Sequence, residues 1–302
     1  MTTQEQVKDN PLYTLVHNAG FVGLIEYMGS DKTICESARV SYGNNEKIYS
    51  KEKDRNLIRY MMRHRHTSVF EMAVLKFHIK LPIFVMRQLI RHRMASVNEM
   101  SGRFSVMSDE FYLPELEYIQ PQSDTNKQGR SDAKWHDKYK ESMRNRIDTS
   151  CMTSYTMYTD LLGYPNSKFT EGLTKELARV VLPVANYTEC YWKMDLHNLF
   201  HLLKLRLDLH AQVEIRDYAE AMYDFVKAYF PLSSEAFQDY VLLSRTLSRM
   251  DIQMLSDNDT FGIIGEAEDY EMSKREYEEM KEFIRNLRQR SVPEYITKIS
   301  GE

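Results

Sequence analysis

The segment Val74–Arg103, VLKFHIKLPIFVMRQLIRHRMASVNEMSGR, contains the most informative structural patterns of the chain. From Val74 to Leu81 apolar side chains alternate with polar ones, and this period of two predicts a half-buried β-strand. Pro82 follows and suits the first position of a helix, where its missing N–H is not needed. Apolar residues at helical spacing predict that this helix continues to Ile90. The segment therefore predicts a strand that leads directly into a helix.

The second half of the same segment has an unusual excess of positive charge. Four arginines stand against one acid there, in a chain of 302 residues with a net charge of −4. These residues are Arg87, Arg91, Arg93, Arg103 and Glu99. Two unit charges about 4 Å apart repel by roughly 4 kcal/mol at an effective dielectric near 20. Because the guanidinium group binds phosphate oxygens with two parallel hydrogen bonds, the cluster predicts an anionic ligand. On the predicted helix, Gln88, Arg91 and His92 share one face.

Composition and charge limit the classes to which the protein can belong. Apolar residues make up 42% of the chain and charged residues 28%, as in an ordinary globular protein. No apolar run is long enough for a transmembrane helix, and the first residues lack the apolar core of a secretory signal. A net charge of −4 argues against a general nucleic-acid binder. We therefore expect a small anionic ligand, and neither a nucleic acid nor a membrane, as the partner.

Cysteine and glycine usage add two further limits. The three cysteines, Cys35, Cys151 and Cys190, are far apart and form no CxxC pair, which indicates a reducing, cytoplasmic setting. None has the positive local surroundings of a reactive thiolate, so we expect no nucleophilic cysteine. The chain has 11 glycines and neither a GxGxxG nor a Walker A pattern. Any nucleotide must therefore be bound without a Rossmann fingerprint or a P-loop.

Hydrophobic patterns elsewhere predict an α/β (α+β) fold, in which a mixed sheet packs with long helices. They include a strand at Phe21–Met28, a helix capped by Ser30 or Asp31, an amphipathic helix at Asp54–Arg65, a helix through Leu173 and Val181 that Pro183 ends, and one long helical tract from an Asp195 cap to Pro231. A polar stretch at about 120–168 is interpreted as an insertion. We predict a single domain over 1–240 and a helical extension of unknown role over 241–302.

Three smaller patterns allow other interpretations. Arg63–Ser68, RHRHTS, is a second basic cluster, although basic side chains at a helix end also complement the helix dipole. His197 and His201 have the spacing of a zinc site, but the glutamate of an HExxH protease is missing, and we expect no metal. Asp257–Glu268 partly imitates a calcium loop, with Phe261 where a ligand is required. The open alternatives are a phosphate- or RNA-binding module and a His-ligated metalloenzyme.

The spacing RHR-x7-S, from Arg91 to Ser101, resembles the signature of flavin-dependent thymidylate synthases. The similar flanking sequences are ARVSYG at 38–43, RHRHTSVFE at 63–71, LPIFVMRQLIRHR before the motif, SGRF and EFYLP after it, ELARVVLP at 176–183 and LRLDLHAQVEI at 205–215. The resemblance implies that family's fold and a reductive methylation of dUMP to dTMP without a cysteine nucleophile. Methylenetetrahydrofolate would supply the carbon, and FAD reduced by NADPH would supply the hydride. It also implies a homotetramer with active sites shared between subunits.

The resemblance assigns the nucleotide and flavin contacts residue by residue. For dUMP they are Gln88, Arg91, Glu99, Ser101, Gly102, Arg103, Arg179 and Arg206. Arg206 is also the expected catalytic residue, because a fixed cation beside uracil N3 stabilises the ring anion and makes C5 more nucleophilic. For FAD they are Ser41, His66, Ser68, Glu71, Arg91, His92, Arg93, Glu99, Asp195, His197 and His201. Ser101 has no adjacent base and is therefore assigned to binding rather than to nucleophilic attack.

Two residues of the predicted flavin set depart from the family pattern. Asp195 stands where many members have Asn, and its carboxylate would repel a phosphate; His197 stands where many have Arg. On a straight helix, His201 and Arg206 would point in directions that differ by about 140° around the axis. We therefore expect that one chain does not place both in the same pocket, which favours pockets shared between subunits.

Overall fold

The computed structural model describes residues 1–41, 43, 50–124, 129–131, 133–164, 171–244, 246–247, 250, 267–270 and 272–288. The chain divides into two compact units. Unit 1 comprises Met1–Glu46 and Thr67–Ser234, and unit 2 comprises Lys47–His66 and Glu235–Glu302. The segment Lys47–His66 thus groups with the C-terminal part of the chain. The predicted boundary at residue 240 and the predicted insertion at 120–168 stay predictions.

Unit 1 is built on a five-stranded antiparallel sheet with the strand order β1-β2-β3-β5-β4. The strands are β1 (Tyr13–Val16), β2 (Gly20–Met28), β3 (Val74–Pro82), β4 (Ser96–Glu99) and β5 (Tyr187–Asp195). The strands predicted at Phe21–Met28 and Val74–Leu81 are confirmed as β2 and β3, and so is the α+β fold class. These strands all pair antiparallel rather than in mixed directions. One reason is the tight turn between β1 and β2, which parallel strands could not use.

The central strand β3 is buried on both faces, which its alternating pattern did not predict. Ile79 lies in the core as expected, but Lys80 on the opposite face is fully buried too. The Lys80 ammonium group donates to Glu110 Oε2 at 2.6 Å and to the Thr2 carbonyl at 2.7 Å. A buried ion needs such partners to offset the loss of its hydration. Parts of the chain far from β3 in sequence therefore cover the face that the pattern assigned to solvent.

Helices make up most of the remaining regular structure. They are α1 (Gln4–Val7), α2 (Asp31–Val40), α3 (Lys51–Arg63), α4 (Ile83–Leu89), α5 (Asp137–Leu161), α6 (Lys175–Ala178), α7 (Leu196–Arg206), α8 (Val213–Tyr229), α9 (Pro231–Phe237) and α10 (Lys274–Arg288). The predicted cap of α2 is confirmed, because the Ser30 hydroxyl accepts from the Thr33 amide at 3.3 Å. Within the described ranges, no helix is both long enough and apolar enough to cross a membrane.

Two predictions about the segment after β3 are wrong. Pro82 is the last residue of β3, paired with Tyr187, and it precedes α4 instead of occupying the first helical position. α4 ends at Leu89, so Arg91 and His92 lie in the following turn and not on a helical face. The cause is tertiary, because the chain must leave the helix to place β4 beside β5 a few residues later.

The tract after Asp195 forms two helices, α7 and α8, and not the single predicted one. In the turn between them, at 207–212, the Asp208 side chain accepts from the His210 amide at 2.8 Å. Such short-range side-chain acceptors compete with helical hydrogen bonds. Pro231 begins α9 instead of only ending the tract, since a helix tolerates the missing N–H in its first turn.

Candidate active site

A cleft of about 530 Å³ opens in unit 1 between the turn after α4, the end of β5 and one side of α7. Its lining consists of Arg91, His92, Arg93, Met94, Met194, Asn198, His201, Leu205 and Arg206. A single chain thus brings four of the predicted flavin contacts together with the predicted catalytic arginine. The walls combine cationic side chains with the apolar side chains of Met94, Met194 and Leu205, so the cleft offers both charge and an apolar surface.

His201 and Arg206 line this same cleft, so the prediction from an ideal helix is wrong. Arg206 is the last residue of α7, and its side chain reaches the turn after α4, where its Nε lies 3.0 Å from His92 Nε2. The arginine side chain is therefore long enough to reach the cleft, although the two positions differ by about 140° around the axis of an ideal helix. The expectation of pockets shared between subunits loses this geometric support.

Arg206 and His92 form the main polar contact of the cleft. A guanidinium group can only donate, so His92 Nε2 accepts, and we assign a neutral ring with its proton on Nδ1. Burial, followed by the charges of Arg206 and His201, lowers the pKa of His92 to about 4. Burial also lowers the pKa of Arg206. Within the described residues, the other contact of Arg206 is a donation to the Gln88 carbonyl at 3.5 Å, which leaves N–H donors for a ligand.

The other cations of the cluster keep their charge largely uncompensated. Arg87, Arg91 and Arg93 are exposed, and none of them forms an ion pair within the part of the chain that the structure describes. Arg103 Nε lies 3.0 Å from Glu176 Oε2, but these side chains are 55% and 58% exposed. An ion pair so open to water contributes little. The positive charge seen in the sequence is therefore a real feature of the surface around the cleft.

A second, smaller cavity of about 180 Å³ lies beside β4 in the same unit. It is lined by Ile83, Glu99, Met100, Gly102, Met107, Arg179, Leu182, Pro183, Val184 and Thr188. Three predicted dUMP contacts meet here: Glu99, Gly102 and Arg179. The helix predicted through Leu173 and Val181 is shorter than expected, because only α6 and the 3-10 turn that contains Arg179 are helical.

Two close contacts fix the polar groups of the smaller cavity. Thr188 of β5, which is buried, donates to Glu99 Oε1 at 2.7 Å. Gly102 packs so closely that an added Cβ would lie 3.2 Å from Arg179 Cδ and 3.2 Å from Met107 Sδ. Thr188 could not be predicted from the sequence, because a threonine within a strand gives no local signal of a partner far away in the chain.

The remaining predicted contacts line neither cavity. Asp195 is used as the predicted cap of α7: its Oδ1 accepts from the Asn198 amide at 2.9 Å, and its Oδ2 accepts from the Asn198 side chain at 2.7 Å. Gln88 donates to the side chain of Gln212. The exposed or half-buried positions are Ser41, His66, Ser68, Glu71, Ser101 and His197. Their roles in ligand binding stay predictions.

The described residues do not form a metal-binding site. Among the described residues, no group of three or more His, Cys, Asp or Glu side chains is placed to hold a metal ion. His201 lines the cleft, with its ring centroid 6.2 Å from that of His92, whereas His197 does not. Most of the calcium-like pattern, residues 257–266, lies outside the described residues.

The three cysteines lie in the interior of the protein. Cys35, Cys151 and Cys190 are all buried. Burial raises the pKa of Cys190 to about 12, with the nearby carboxylates of Glu99 and Glu189 adding to the effect. Burial also raises the pKa of Cys151. Neither of these two thiols has the electropositive surroundings that produce a reactive thiolate.

Comparisons with known proteins give consistent matches. The family model described as "Thymidylate synthase complementing protein" matches residues 23–232. A flavin-dependent thymidylate synthase of Rickettsia bellii is 44% identical over 289 residues, which cover 93% of this chain and 96% of that relative. One of Wolbachia pipientis wMel is 49% identical over 237 residues, covering 78% and 80%. The crystal structure of the UMP/dUMP methylase PolB from Streptomyces cacaoi, bound with 5-Br dUMP, matches with a TM-score of 0.67 and 28% identity, covering 77% of this chain and 100% of that one.

Proposed function

We propose, for a chain that belongs to the family of flavin-dependent thymidylate synthases, that it converts dUMP to dTMP by reductive methylation. Methylenetetrahydrofolate would be the one-carbon donor, and FAD reduced by NADPH would be the hydride source. The 530 Å³ cleft supports this proposal most, because it combines uncompensated arginines with the Arg206–His92 contact and an apolar wall.

The cleft fits FAD in both charge and surface. Arg91 and Arg93 are exposed cations whose planar groups match phosphate oxygens. Met94 and Leu205 provide apolar surface of the kind that lines cofactor sites. We therefore assign Arg91, His92, Arg93 and His201 to the flavin, with Ser41, His66, Ser68, Glu71, Glu99, Asp195 and His197 as further contacts from the family resemblance. When bound, FAD would supply the hydride that completes the methyl group.

The smaller cavity suits the nucleotide substrate. Glu99 and Arg179 offer one acceptor and one donor at its wall, within otherwise mostly apolar surroundings. Thr188 holds one oxygen of the Glu99 carboxylate, so the other oxygen can accept from a ligand. We assign Glu99, Gly102 and Arg179 to dUMP, together with Gln88, Arg91, Ser101, Arg103 and Arg206. The Ser101 hydroxyl accepts from the Arg103 amide at 3.3 Å, an arrangement that supports binding rather than nucleophilic attack.

Arg206 is the proposed catalytic residue. Because it lines the cleft assigned to FAD and not the smaller cavity, the uracil ring of dUMP would extend into that cleft. Its guanidinium group would stabilise the negative charge that develops on the uracil ring when C5 acts as a nucleophile. His92 orients this group by accepting from Nε, and as a neutral ring it adds no charge of its own. The partial burial of the pair strengthens the electrostatic effect, because the local dielectric is lower than in water.

The chemistry of the cysteines supports a route without a thiol nucleophile. Attack on the uracil ring would require a thiolate, and burial raises the pKa of both Cys151 and Cys190. Cys35 is fully buried as well. An anion stabilised by Arg206 activates C5 without a covalent bond to the protein, so the reaction has no need of these thiols.

We further propose a cytoplasmic homotetramer with active sites shared between subunits. Large apolar side chains next to the two cavities support an oligomer, since Met94 is 68%, Phe104 77% and Val180 76% exposed. Exposed apolar surface of this kind marks interaction sites. Sedimentation analysis of the purified protein would test the number of subunits.

The proposed reaction predicts a yellow protein with a complete set of substrate requirements. Purified protein with FAD should show flavin absorbance that NADPH bleaches, and dTMP should form only when dUMP and methylenetetrahydrofolate are also present. A colourless protein that does not take up FAD would contradict the proposal. A protein that binds no flavin and whose affinity for an anionic ligand falls steeply with salt concentration would favour a phosphate- or RNA-binding module. Activity that is lost when a chelator is added would favour a metalloenzyme.

A further inference from the structure

The C-terminal helix α10 lies outside the part of the chain that the family model matches, which ends at residue 232. Both α10 and α3 belong to unit 2. The last turn of α3 leads into the second basic cluster, Arg63–Ser68, whose His66 is one of the proposed flavin contacts. The contacts of α10 with α3 therefore bear on how His66 is held.

Ion pairs join α10 firmly to α3. The Arg59 side chain of α3 is almost completely buried, and its guanidinium group contacts Glu276 of α10 at 3.4 Å. One turn further along α3, Arg63 lies 2.7 Å from Glu279 of α10. Buried or partly buried pairs of this kind are lost only at high cost, because breaking one leaves a charge without its partner. α10 is thus fixed along the C-terminal half of α3.

A stack of side chains continues from α10 to His66. The guanidinium carbon of Arg275 lies 4.4 Å from the centroid of the Tyr60 ring. The Tyr60 ring in turn stacks on the His66 ring, with centroids 6.1 Å apart and an interplanar angle of 21°. Glu279 contributes beside this stack, since its Oε1 accepts from Arg275 Nε at 3.1 Å and its Oε2 lies 3.3 Å from His64 Nε2. Arg275 and Glu279 therefore act on the ring that contacts His66 and on the neighbouring histidine.

The backbone at the end of α3 is held in a specific turn. Arg65 has a φ of 57°, in the left-handed region that glycine favours. The His66 amide donates to the Met61 carbonyl at 2.9 Å, and the Arg65 amide donates to the Met62 carbonyl at 3.2 Å. These two bonds form a Schellman motif, which fixes the direction in which the chain leaves the helix. A non-glycine residue at this position needs support from its surroundings.

We propose that α10 is a positioning element for His66, in which Arg275 acts through the Tyr60 ring and Glu279 acts through His64, whose ring centroid lies 6.5 Å from that of His66. The inference rests on the proposed function, because it takes His66 as a contact of FAD. Arg275 and Glu279 are positioning residues, since each acts through another side chain. The C-terminal extension then has a role in cofactor affinity rather than in the methylation step.

The test is a titration of cofactor-free protein with FAD, followed by flavin fluorescence well below the melting temperature. The double variant Arg275→Met/Glu279→Gln removes the contacts of Arg275 with Tyr60 and of Glu279 with His64, and with them the Arg63–Glu279 ion pair. It keeps the net charge, so long-range attraction of the anionic cofactor is unchanged. The matched control is Glu278→Gln/Lys281→Met, which removes a 2.8 Å pair between side chains of α10 itself and also keeps the net charge. We expect the dissociation constant of FAD to rise about tenfold in the double variant and to stay unchanged in the control.

A cycle with His66→Ala separates positioning from general loss of stability. If α10 acts through His66, the double variant should weaken FAD binding in the wild-type background and have no further effect in the His66→Ala background. Additive losses would overturn the proposal, and so would wild-type affinity in either His66→Ala or the double variant. Should the double variant not fold, Arg275→Met alone must weaken FAD binding and Arg275→Lys must restore part of it. A wild-type protein that does not bind FAD would instead refute the proposed function, and this inference with it.

Discussion

Unit 2 and the cleft of unit 1 are both rich in arginine, but they differ in whether carboxylates compensate the arginine charges. On α3, Arg55, Arg59 and Arg63 contact carboxylates at 3.0, 2.9 and 2.7 Å. Around the cleft, Arg91 and Arg93 have no carboxylate partner within the described ranges. The same side chain therefore completes a structure in one region and leaves a charge uncompensated in the other.

This difference separates the arginines that stabilise the fold from those that are available to a ligand. When one partner of a buried ion pair such as Arg59 with Glu276 is removed, the stability of the protein should fall. Exposed cations that repel one another should lower the stability of the ligand-free protein, and binding of an anion should restore that stability. Substitutions of the arginines on α3 should therefore change the free energy of unfolding, whereas substitutions of the cleft arginines should change ligand binding or catalysis.

The largest expected effect is on catalysis at Arg206. Arg206→Ala should reduce dTMP formation by about a thousandfold, because it removes the guanidinium group that His92 orients and that would stabilise the uracil anion. FAD binding should be largely spared, and the unfolding free energy should change little, since the main partner of Arg206 is a neutral histidine. Single-turnover assays of dTMP formation, with a parallel FAD titration, measure both quantities. If the variant still formed dTMP at the wild-type rate, Arg206 would not be the catalytic group.

The next effect is on stability at Arg59. Arg59→Met should lower the free energy of unfolding by about 3–5 kcal/mol, because it removes the nearer cation of Glu276, whose side chain is only 5% exposed, and leaves only the longer 3.8 Å contact with Arg63. Arg55→Met is the control, since Arg55 is 31% exposed and pairs with a half-exposed carboxylate, and it should cost about 1 kcal/mol or less. Urea unfolding measures both. Equal losses would mean that burial does not distinguish these pairs.

A smaller effect is expected on nucleotide affinity at Gly102. Gly102→Ala would place a methyl group 3.2 Å from Arg179 Cδ, so Arg179 would have to shift. Displacement of one polar contact should weaken dUMP binding about tenfold, or roughly 1.4 kcal/mol, while FAD binding stays unchanged. Calorimetric titration with each ligand checks this. If the variant lost FAD and dUMP affinity equally, the two cavities would not serve separate ligands.

The smallest effect concerns the titration of His92. Its pKa of about 4 in the folded protein lies below the ordinary value of 6.5. A neutral buried ring contributes its full stability above pH 6.5, and this contribution is lost as the pH falls towards 4, because the unfolded chain then binds the proton more readily. Arg206→Ala should raise the pKa of His92, since it removes a neighbouring cation, but burial should still hold it below 6.5. NMR of the imidazole signals gives the value directly, and an unchanged pKa would contradict the contact.

Sequence patterns predicted the elements but not where tertiary contacts interrupt them. β3 follows from its alternation, and the start of α2 from the Ser30 cap. The end of α4 at Leu89 could not be predicted, because it depends on the pairing of β4 with β5. The burial of Lys80 likewise depends on the distant Glu110. Periodicity reports local geometry, whereas such interruptions depend on partners that are remote along the chain.

The site shows the same limit at the level of single side chains. The excess of arginine around the cleft was visible in the sequence, since charge can be counted without a fold. Thr188, which holds Glu99, was not visible, and neither was the approach of Arg206 to His92. An ideal helix placed Arg206 and His201 apart, and the reach of a long side chain brought them to one cleft. Composition thus predicts that a site exists, and only the fold shows which groups complete it.

The different roles of the two sets of arginines are tested by the stability of Arg93→Gln measured with and without FAD and dUMP, beside that of Arg55→Gln from unit 2. Saturation at a hundred times the dissociation constant should stabilise the wild-type protein by about 2.7 kcal/mol per ligand. We expect Arg93→Gln to make the ligand-free protein slightly more stable than wild type, because it removes a repelling cation, and to reduce the gain on adding ligands. Arg55→Gln should lower stability equally in both conditions. A loss for Arg93→Gln that is the same with and without ligands would contradict the claim that the cleft arginines await an anion.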